Sequence, residues 1–423
     1  MSHSYNPFQP NQPVFRGMFV GRMNEIKRTD KILYQTKHQN PTHIIYTGER
    51  GIGKSSILLV AKYFAEGKLE WEDKGHNFLT VQFSINKEMT LERFIQRFLF
   101  CLKRELRDEN KIKEKIKALW TIINKFEVLG IKYGTAKDGI SQTNIIDEFI
   151  YSIVDTVKSI STESIAKELG FEKERDGLVI LIDEVDNANK EIGLGSLLKN
   201  LSETLVSENC NNVLIILSGL PNIHNVLAES HESALRLFEE FVLKRLSALE
   251  VKQVINRGID VANKKLEKEY YRIDEDAIEL IYFYSEGYPH FVQQICYCAF
   301  DKTADGHITK FVVQEAFFNE DGALNKIGDR YYKDLFYEKI NVESYRQILS
   351  IMAENWNNWV DKKTISDKFK GNSSTLNNGI KALRDRNIIL TKKGSRGQYR
   401  LQWQSFALWI NRHRKIQSYS QKQ

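Results

Sequence analysis

Two kinds of hydrophobic pattern alternate along the first 250 residues of the chain. Short runs rich in consecutive apolar residues stand at 44–46, 78–83, 178–182 and 212–217. Between them lie longer segments with helical periodicity. A strand that is apolar at nearly every position is covered on both faces. The pattern therefore predicts an α/β domain, in which a largely parallel sheet carries helices on both faces.

The pattern changes after residue 250. From 251 to about 335 one helical segment follows another, and from 342 onward helical segments precede a short β-ribbon. In the last of these helical segments Leu376, Ile380 and Leu383 are spaced by four and three, which makes one buried stripe. Three helices and a ribbon are the arrangement of a winged helix, a helix-turn-helix variant. The predicted helices are 342–355, 362–369 and 373–387, and the ribbon joins 388–390 to 399–401.

These patterns divide the chain into parts. The connection from 85 to 177 is far longer than a βαβ crossover needs, and its periodicity predicts a helical insertion on the surface. Three of the six prolines lie within the first thirteen residues, where we expect an extended leader. The expected order is leader 1–17, α/β domain 18–250 with the insertion at 85–177, all-helical domain 251–338, winged-helix domain 339–415 and tail 416–423.

Composition excludes several classes of protein. The chain is 42% hydrophobic, and no apolar stretch reaches the roughly 18 residues that span a membrane. Its first residues lack the charged and then apolar layout of a signal peptide. Four cysteines are too few for a disulfide scaffold of this size, and Cys296 and Cys298 fit buried structural thiols better than a metal site. We expect a cytoplasmic protein that does not contact a membrane.

A glycine-rich loop follows the first predicted strand and precedes a helix. The residues Gly48-x4-Gly53-Lys54-Ser55 fit the phosphate-binding loop, in which backbone N–H groups and the start of a helix hold phosphate oxygens. Lys54 would reach the β- and γ-phosphates, and the Ser55 hydroxyl would bind Mg²⁺. ATP and Mg²⁺ are thus the expected cofactors. The predicted loop contacts are Gly48, Glu49, Arg50, Gly51, Ile52, Gly53, Lys54, Ser55 and Ser56.

Two carboxylates stand at the end of the buried strand at 178–182. Asp183 would complete the Mg²⁺ site opposite Ser55, and Glu184 would polarise the attacking water. Ligands bind at the carboxyl ends of parallel strands, which is where both residues are expected. At the end of the 212–217 strand, Ser218 or Asn222 would contact the γ-phosphate or the water. Serine and asparagine also cap turns, and this alternative stays open.

These motifs together resemble those of AAA+ and STAND-type ATPases. The segment MFVGRMNEI, residues 18–26, looks like the stretch that precedes the phosphate loop in these families and lies against the adenine. The resemblance implies that Val20, Gly21 and Arg22 contact the nucleotide. The segment SGLPNI looks like the sensor-1 end of their fourth strand, which implies a nucleotide contact for Ser218.

Two further segments extend the resemblance. Residues 233–250 are similar to the stretch where many AAA+ proteins carry an arginine finger, here Arg236, which implies a homo-oligomer; a structural arginine is the alternative. The segment SEGYPHFVQQI resembles the Gly-x-Pro signature of the helical lid and implies that Pro289 contacts the nucleotide. Pro289 and His290 stand where the replication-initiator branch usually has an arginine, which favours the STAND-like branch. The layout over about 18–415 is like that of the origin-recognition-type ATPases: P-loop domain, helical lid and winged helix.

Positive charge is concentrated near the C-terminus. Residues 361–415 contain 14 lysines and arginines and three acids, a net of +11 in a chain whose total is +6. Such a face neutralises DNA phosphates, so double-stranded DNA is the predicted partner. Docking of an acidic protein is the alternative, since winged helices serve both purposes. The predicted DNA contacts are Lys381, Arg384, Arg386, Lys392, Lys393, Arg396 and Arg400.

Three functions fit these residues. The first is an ATP-hydrolysing switch that binds DNA through its winged helix. The second is a STAND-like signalling ATPase, for example in bacterial phage defence, whose winged helix docks a protein or holds the off state. The third is a scaffold with bound nucleotide, against which the intact Glu184 argues. No segment resembles an effector, so partner proteins are implied by either of the first two.

Overall fold

The chain divides into two compact units in its computed structural model. The structure describes residues 5–12, 20–70, 75–106, 110, 114–128, 142–266, 270–392, 394–395 and 397–420. We call Gly21–Lys244 the sheet unit, and Met1–Val20 together with Arg245–Gln423 the helical unit. Within the described part of the chain, no helix is both long and apolar enough to cross a membrane.

A five-stranded parallel sheet forms the centre of the sheet unit. Its strands lie in the order β2-β3-β4-β1-β5, with the bounds β1 His43–Thr47, β2 Leu79–Ser84, β3 Leu178–Asp183, β4 Val213–Gly219 and β5 Phe238–Val242. β1, β3 and β4 are buried at every position, as continuous apolar runs require. The predicted parallel α/β sheet is confirmed.

Helices surround this sheet. They are α1 Met23–Lys37, α2 Lys54–Ala65, α3 Leu91–Glu105, α4 Lys117–Val128, α5 Gln142–Ile160, α6 Glu163–Glu168, α7 Leu194–Ser207 and α8 Ile223–Ser230. Short 3₁₀ turns occur at Val185–Asn187, Lys190–Ile192 and Glu232–Leu237.

The long connection between β2 and β3 is part of the core. Among its described residues it contains four helices, α3 to α6. Phe98 of α3 meets Phe149 of α5 with ring centroids 5.1 Å apart, and Phe94 meets Phe83 of β2 at 5.2 Å. These rings belong to the same buried cluster as the sheet. The expected surface insertion is therefore wrong for α3 and α5, because their apolar faces cover one side of the sheet.

The helical unit begins with helices and two very short strands. The elements are α9 Ala248–Leu266, β6 Arg272–Ile273, α10 Glu275–Ser285, α11 Pro289–Lys302, β7 His307–Ile308, α12 Lys310–Phe318, α13 Ala323–Tyr331 and a π-helical turn at Leu335–Lys339. Residues 5–12 of the leader, expected to be simply extended, pack against this part of the unit through Phe8, which is 1% exposed.

The C-terminal part of the helical unit contains four described helices and a small antiparallel sheet. The elements are α14 Glu343–Ala353, β8 Val360–Asp361, α15 Lys362–Lys368, α16 Ser373–Asp385, β9 Ile389–Thr391, β10 Gln398–Leu401 and a last helix, α17 Gln404–Ser420. The sheet order is β8-β10-β9. Leu376, Ile380 and Leu383 are buried on α16, so the predicted stripe is present. β8 and α17 are elements that the hydrophobic pattern did not indicate.

Candidate functional site

The glycine-rich loop joins β1 to α2 at the carboxyl edge of the sheet. Gly51 and Gly53 have φ angles of 80° and 99°, in the left-handed region that side chains other than glycine rarely adopt. Gly53 is the N-cap of α2. The backbone N–H groups of Lys54 and Ser55 open this helix and have no acceptor within it. The loop therefore presents donors and a helix start to one point, which is an anion-binding geometry.

Lys54 brings a positive charge to this loop. Its Nζ donates to the carbonyl oxygens of Gly48, at 2.8 Å, and Glu49, at 2.9 Å. Burial lowers the pKa of Lys54, and the nearby carboxylates of Asp186 and Asp183 partly offset that effect. The ammonium is thus held by loop carbonyls and faces the acidic end of β3.

Asp183 is the point at which three segments of the sheet unit meet. Its side chain ends β3 and is only 8% exposed. Oδ2 accepts from the Ser55 hydroxyl at 2.6 Å, while Oδ1 accepts from the Ser218 hydroxyl and from the backbone N–H of Glu184 at 2.9 Å. The structure therefore brings together Ser55 and Asp183, the two predicted metal ligands.

Ser218 has a partner that the sequence did not indicate. It lies near the end of β4, next to β3 in the sheet, and is fully buried. Its hydroxyl donates a hydrogen bond to the carboxylate of Asp183. We therefore treat Ser218 as a residue that positions the carboxylate. The predicted contact with phosphate or water stays a prediction.

Glu184 stands beside Asp183 and is exposed. Its backbone is left-handed, with φ 55° and ψ 37°, which turns its side chain away from the direction of the strand. Partial burial raises the pKa of Glu184, and the charges of Asp183 and Asp186 raise it further. Its Oε2 accepts a 3.4 Å hydrogen bond from Asn187. A carboxylate of raised pKa at the open edge is suited to act on a water molecule.

Asp186 is a site residue that the sequence analysis missed. Its Oδ1 accepts from the backbone N–H of Leu220 at 2.9 Å, which ties the turn after β3 to the loop after β4. A Cβ added to Gly219 would lie 2.9 Å from the same oxygen, so the two segments approach closely. The sequence could have indicated Asp186 by its position, three residues after Asp183 in the same acidic motif.

The segment before α1 contacts the phosphate loop. Gly21 and Arg22 have φ angles of 79° and 60°, and Arg22 is the N-cap of α1. The Arg22 guanidinium donates to the carbonyl of Ile52 at 3.3 Å and to that of Lys244. Val20 precedes this turn. Arg22 thus lies beside the loop, and the nucleotide contacts of Val20, Gly21 and Arg22 stay a prediction.

The remaining loop residues differ in exposure. Arg50 and Ser55 are exposed, Glu49 is half-buried, and Ile52 and Ser56 are buried. The side chains of Ile52 and Ser56 therefore pack inside the protein.

Arg236 lies at the amino ends of the parallel strands, whereas the phosphate loop lies at their carboxyl ends. It is exposed, on the 3₁₀ turn Glu232–Leu237 that leads into β5. β5 runs parallel to β1, with His43 opposite Phe238 and Thr47 opposite Val242. The phosphate loop follows Thr47 and Arg236 precedes Phe238, so a whole strand, about 16 Å, separates them. Arg236 therefore cannot serve the phosphate loop of its own subunit.

Pro289 belongs to the helical unit. It is the first residue of α11, a position where proline is favoured because its missing N–H would have no acceptor there. The neighbouring His290 ring lies 2.8 Å from the guanidinium of Arg330. The proposed nucleotide contact of Pro289 stays a prediction.

The predicted basic face is smaller than expected. Lys381, Arg384 and Lys392 are exposed. Arg386, also exposed, donates from Nη1 to the carbonyl oxygen of Lys339 at 3.1 Å, so part of its donor set is used within the unit. Lys393 and Arg396 lie outside the described residues.

Arg400 departs from the prediction of an exposed DNA contact. Its guanidinium lies 5.1 Å from the centre of the Trp359 ring, and its buried Nε has no hydrogen-bond partner among the described residues. With Arg245 and Glu286 it lines an open cavity of about 670 Å³. Arg400 is half-buried, so it does not belong to the exposed face.

Three solved structures resemble the chain over nearly its whole length. The Aeropyrum pernix ORC2 protein, in ADPNP-ADP complexes, is 11% identical, with a TM-score of 0.58 and coverage of 98% of this chain and 99% of that one. The Aeropyrum pernix ORC1 protein in complex with DNA is 14% identical, with a TM-score of 0.44 and coverage of 97% of both chains. The Cdc6 protein of Pyrobaculum aerophilum is 11% identical, with a TM-score of 0.42 and coverage of 97% and 98%.

Of these three, the ORC2 protein is similar enough for its likeness to decide the fold. No sequence family and no curated protein matches the chain. The likeness to ORC2 has a TM-score above 0.5, and the chain itself has a parallel sheet of strand order β2-β3-β4-β1-β5. The chain therefore has the fold of the origin-recognition-type ATPases, a P-loop α/β sheet followed by a helical C-terminal region, as its motifs predicted.

Proposed function

We propose that the chain is an ATP-binding and ATP-hydrolysing switch that binds double-stranded DNA through its C-terminal region and acts with partner proteins. The observation that carries this proposal is the 2.6 Å hydrogen bond between Ser55 and Asp183. It joins the start of α2 to the end of β3, next to Lys54, at the carboxyl edge of a parallel sheet. The ORC2 protein, of the same fold, was solved in ADPNP-ADP complexes, and we extend nucleotide binding to this chain.

The donor set at this point fits Mg²⁺. A hydroxyl and a carboxylate are the hard oxygen ligands that Mg²⁺ prefers, together with phosphate oxygens and water. Ser55 and Asp183 would hold the ion, and Ser218 would orient the carboxylate. When bound, Mg²⁺ neutralises charge on the phosphates.

The other site residues supply charge and proton chemistry. Lys54 would exchange its hydrogen bonds to the loop carbonyls for contacts with the β- and γ-phosphates. There its ammonium group would neutralise negative charge. Glu184 would accept a hydrogen bond from the attacking water and orient it, while Asp186 keeps the two adjoining loops together. Catalysis of phosphoryl transfer consists mostly of such positioning and charge neutralisation.

Arg236 would act in a neighbouring subunit. Since it lies a strand's length from its own phosphate loop, the arginine-finger role requires a second copy of the chain. The proposed assembly is thus a homo-oligomer in which Arg236 of each subunit contacts the phosphate loop of the next. An effector or other partner protein would bind differently to the ATP-bound and ADP-bound forms of the chain.

The C-terminal region has the element order of a winged helix. Three helices, α14 to α16, accompany the β8-β10-β9 sheet, and α16 carries Lys381 and Arg384 on its exposed side. A helix of this kind enters the major groove while the ribbon contacts the backbone. Lys392 on the ribbon side would contribute a phosphate contact.

Two observations favour the alternative of a STAND-like signalling ATPase. Arg400 faces a cavity and Arg386 donates to a backbone carbonyl, so two of the predicted DNA cations are used within the unit. A basic face reduced in this way is also suited to docking an acidic protein or to holding an off state.

The test is ATP hydrolysis by the full chain with and without duplex DNA. Lys54→Ala should abolish ATP binding, because backbone donors alone do not replace the ammonium. Glu184→Gln should keep binding but slow turnover by about 100-fold or more, as the loss of a positioned base does. Tight ATP binding by the alanine variant, or normal turnover by the glutamine variant, would show that these roles are misassigned. Failure of the parent chain to bind duplex at low salt would favour the signalling alternative.

A further inference from the structure

The leader contacts the helical unit in the manner of a bound peptide. Residues 5–12 contain no helix or strand, yet Pro7, Phe8 and Pro10 are buried while Tyr5 and Gln9 are exposed. The anchors are thus three side chains within four residues. Short segments with prolines lose little conformational entropy on binding, which is why linear motifs are often proline-rich.

Phe8 fills a pocket that a glycine makes possible. Its ring is 1% exposed, and the Phe300 ring lies edge-on with centroids 6.2 Å apart. Gly258 stands inside α9, where glycine weakens a helix. A Cβ at Gly258 would lie 2.4 Å from the Phe8 ring. The glycine is therefore explained by the room that the aromatic ring needs.

Asn6 fixes the turn that presents this ring. Its Oδ1 accepts from the backbone N–H of Phe8 at 3.1 Å, an Asx turn. Its Nδ2 donates to the carbonyl oxygen of Tyr297 at 3.1 Å and to the carboxylate of Asp301 at 2.7 Å. Both polar ends of the asparagine side chain are therefore used, one within the leader and one on α11.

Side chains of the helices also bind the backbone of the leader. Gln293, which is 4% exposed, accepts from the N–H of Gln9 at 3.0 Å. Arg330 on α13 donates to the carbonyl oxygen of Pro10 at 3.3 Å and to the side chain of Asn11 at 3.2 Å. Contacts of this kind do not depend on the leader belonging to the same chain.

We propose that α9, α11 and α13 form a binding site for a linear peptide of the type Asn-Pro-Phe-Gln-Pro, of which the leader is a detachable ligand. The site recognises an asparagine and a phenylalanine two residues apart, held in an Asx turn. A partner that carries such a segment would compete with the leader. The contacts that carry this proposal involve none of the residues assigned above to the nucleotide or to DNA, so the proposal does not depend on those assignments.

The experiment supplies the peptide in trans. A fluorescent peptide covering residues 1–12 is titrated into the full chain carrying Phe8→Ala, whose own leader has lost its anchor. Saturable binding is expected, and the parent chain should bind at least tenfold more weakly, because its own leader competes at high effective concentration. Adding Gly258→Ala to the Phe8→Ala chain should abolish binding, since the new methyl group occupies the place of the ring.

Peptide variants test the recognition itself. Phe8→Ala in the peptide should weaken binding about a hundredfold or more, as loss of a buried phenylalanine does, and Asn6→Ala about tenfold. Gln9→Ala is the matched control and should bind like the parent peptide, because only the backbone of Gln9 is used. Equal binding of all four peptides, or none to the Phe8→Ala chain, would overturn the proposal.

Folding of the variant chains is checked by thermal melting. If the Phe8→Ala chain does not melt cooperatively, Asn6→Ala takes its place, because that variant keeps the ring and loses only the turn. If neither chain melts cooperatively, the leader is an inseparable part of the core and the proposal fails.

Discussion

Replacing Ser218 by alanine removes a buried donor from the carboxylate of Asp183. The hydroxyl of Ser218 is fully buried and Asp183 is 8% exposed, so bulk water does not readily take its place. Oδ1 would keep only the backbone N–H of Glu184, at 2.9 Å, while Oδ2 would keep the hydroxyl of Ser55, at 2.6 Å. The carboxylate would then be held less firmly in the orientation that a metal ion requires.

The size of the effect follows from these hydrogen bonds. A hydrogen bond to a charged group contributes about 1.5–3 kcal/mol, and loss of a group that orients a metal ligand usually weakens metal affinity by about 10- to 100-fold. We therefore expect Ser218→Ala to need about 10- to 100-fold more Mg²⁺ for half-maximal ATP hydrolysis. Binding of ATP without Mg²⁺ should be unchanged, because Lys54 and the loop glycines are not altered.

The assay is turnover as a function of Mg²⁺ at saturating ATP, together with the affinity for a fluorescent ATP analogue with and without Mg²⁺. Turnover at saturating Mg²⁺ should return close to that of the parent chain. The matched control is Ser152→Ala, since Ser152 is also a fully buried serine of the sheet unit but donates to a helix carbonyl.

One result would refute this reasoning. If Ser218→Ala lowers turnover at every Mg²⁺ concentration and leaves the Mg²⁺ requirement unchanged, Ser218 acts on the phosphate or the water. That outcome would restore the role that the sequence analysis predicted for it.

The other predictions concern assembly and DNA. If Arg236 acts in trans, turnover per subunit should rise with protein concentration, and a mixture of Arg236→Ala and Glu184→Gln chains should regain part of the activity; flat turnover across a wide dilution series would make Arg236 a structural arginine. Lys381→Ala with Arg384→Ala should reduce the log–log salt slope of duplex binding by about 0.9 for each DNA phosphate that the protein no longer neutralises. Arg400→Ala is the control in that filter-binding or anisotropy measurement and should leave the slope unchanged; an equal reduction would place Arg400 on the DNA.

The hydrophobic pattern predicted four of the five strands of the parallel sheet. Four strands were predicted because runs of apolar residues are typical of strands covered on both faces. β5, Phe238–Val242, was not predicted, since its sequence FEEFV has two glutamates. It lies at the edge of the sheet, where one side has no neighbouring strand among the described residues, and there glutamates are tolerated. Only the assembled sheet distinguishes this segment from a loop.

The nucleotide site was also partly determined by the sequence. The loop around Gly53 follows from local backbone chemistry, and the meeting of Ser55 with Asp183, 128 residues apart, follows from the rule that parallel strands end at one edge. The hydrogen bond from Ser218 to that carboxylate does not, because it depends on β3 and β4 being neighbours and on which way each terminal side chain faces.

Contacts between distant surfaces were decided by the tertiary structure alone. Charge at the C-terminus was visible in the sequence, but the half-buried position of Arg400 depends on the ring of Trp359 beside it. The leader was recognised as proline-rich, but its docking depends on a glycine at 258 that makes room for Phe8. The sequence pattern of a segment determines its local secondary structure. The contacts of each side chain depend on which surfaces the folded chain brings together.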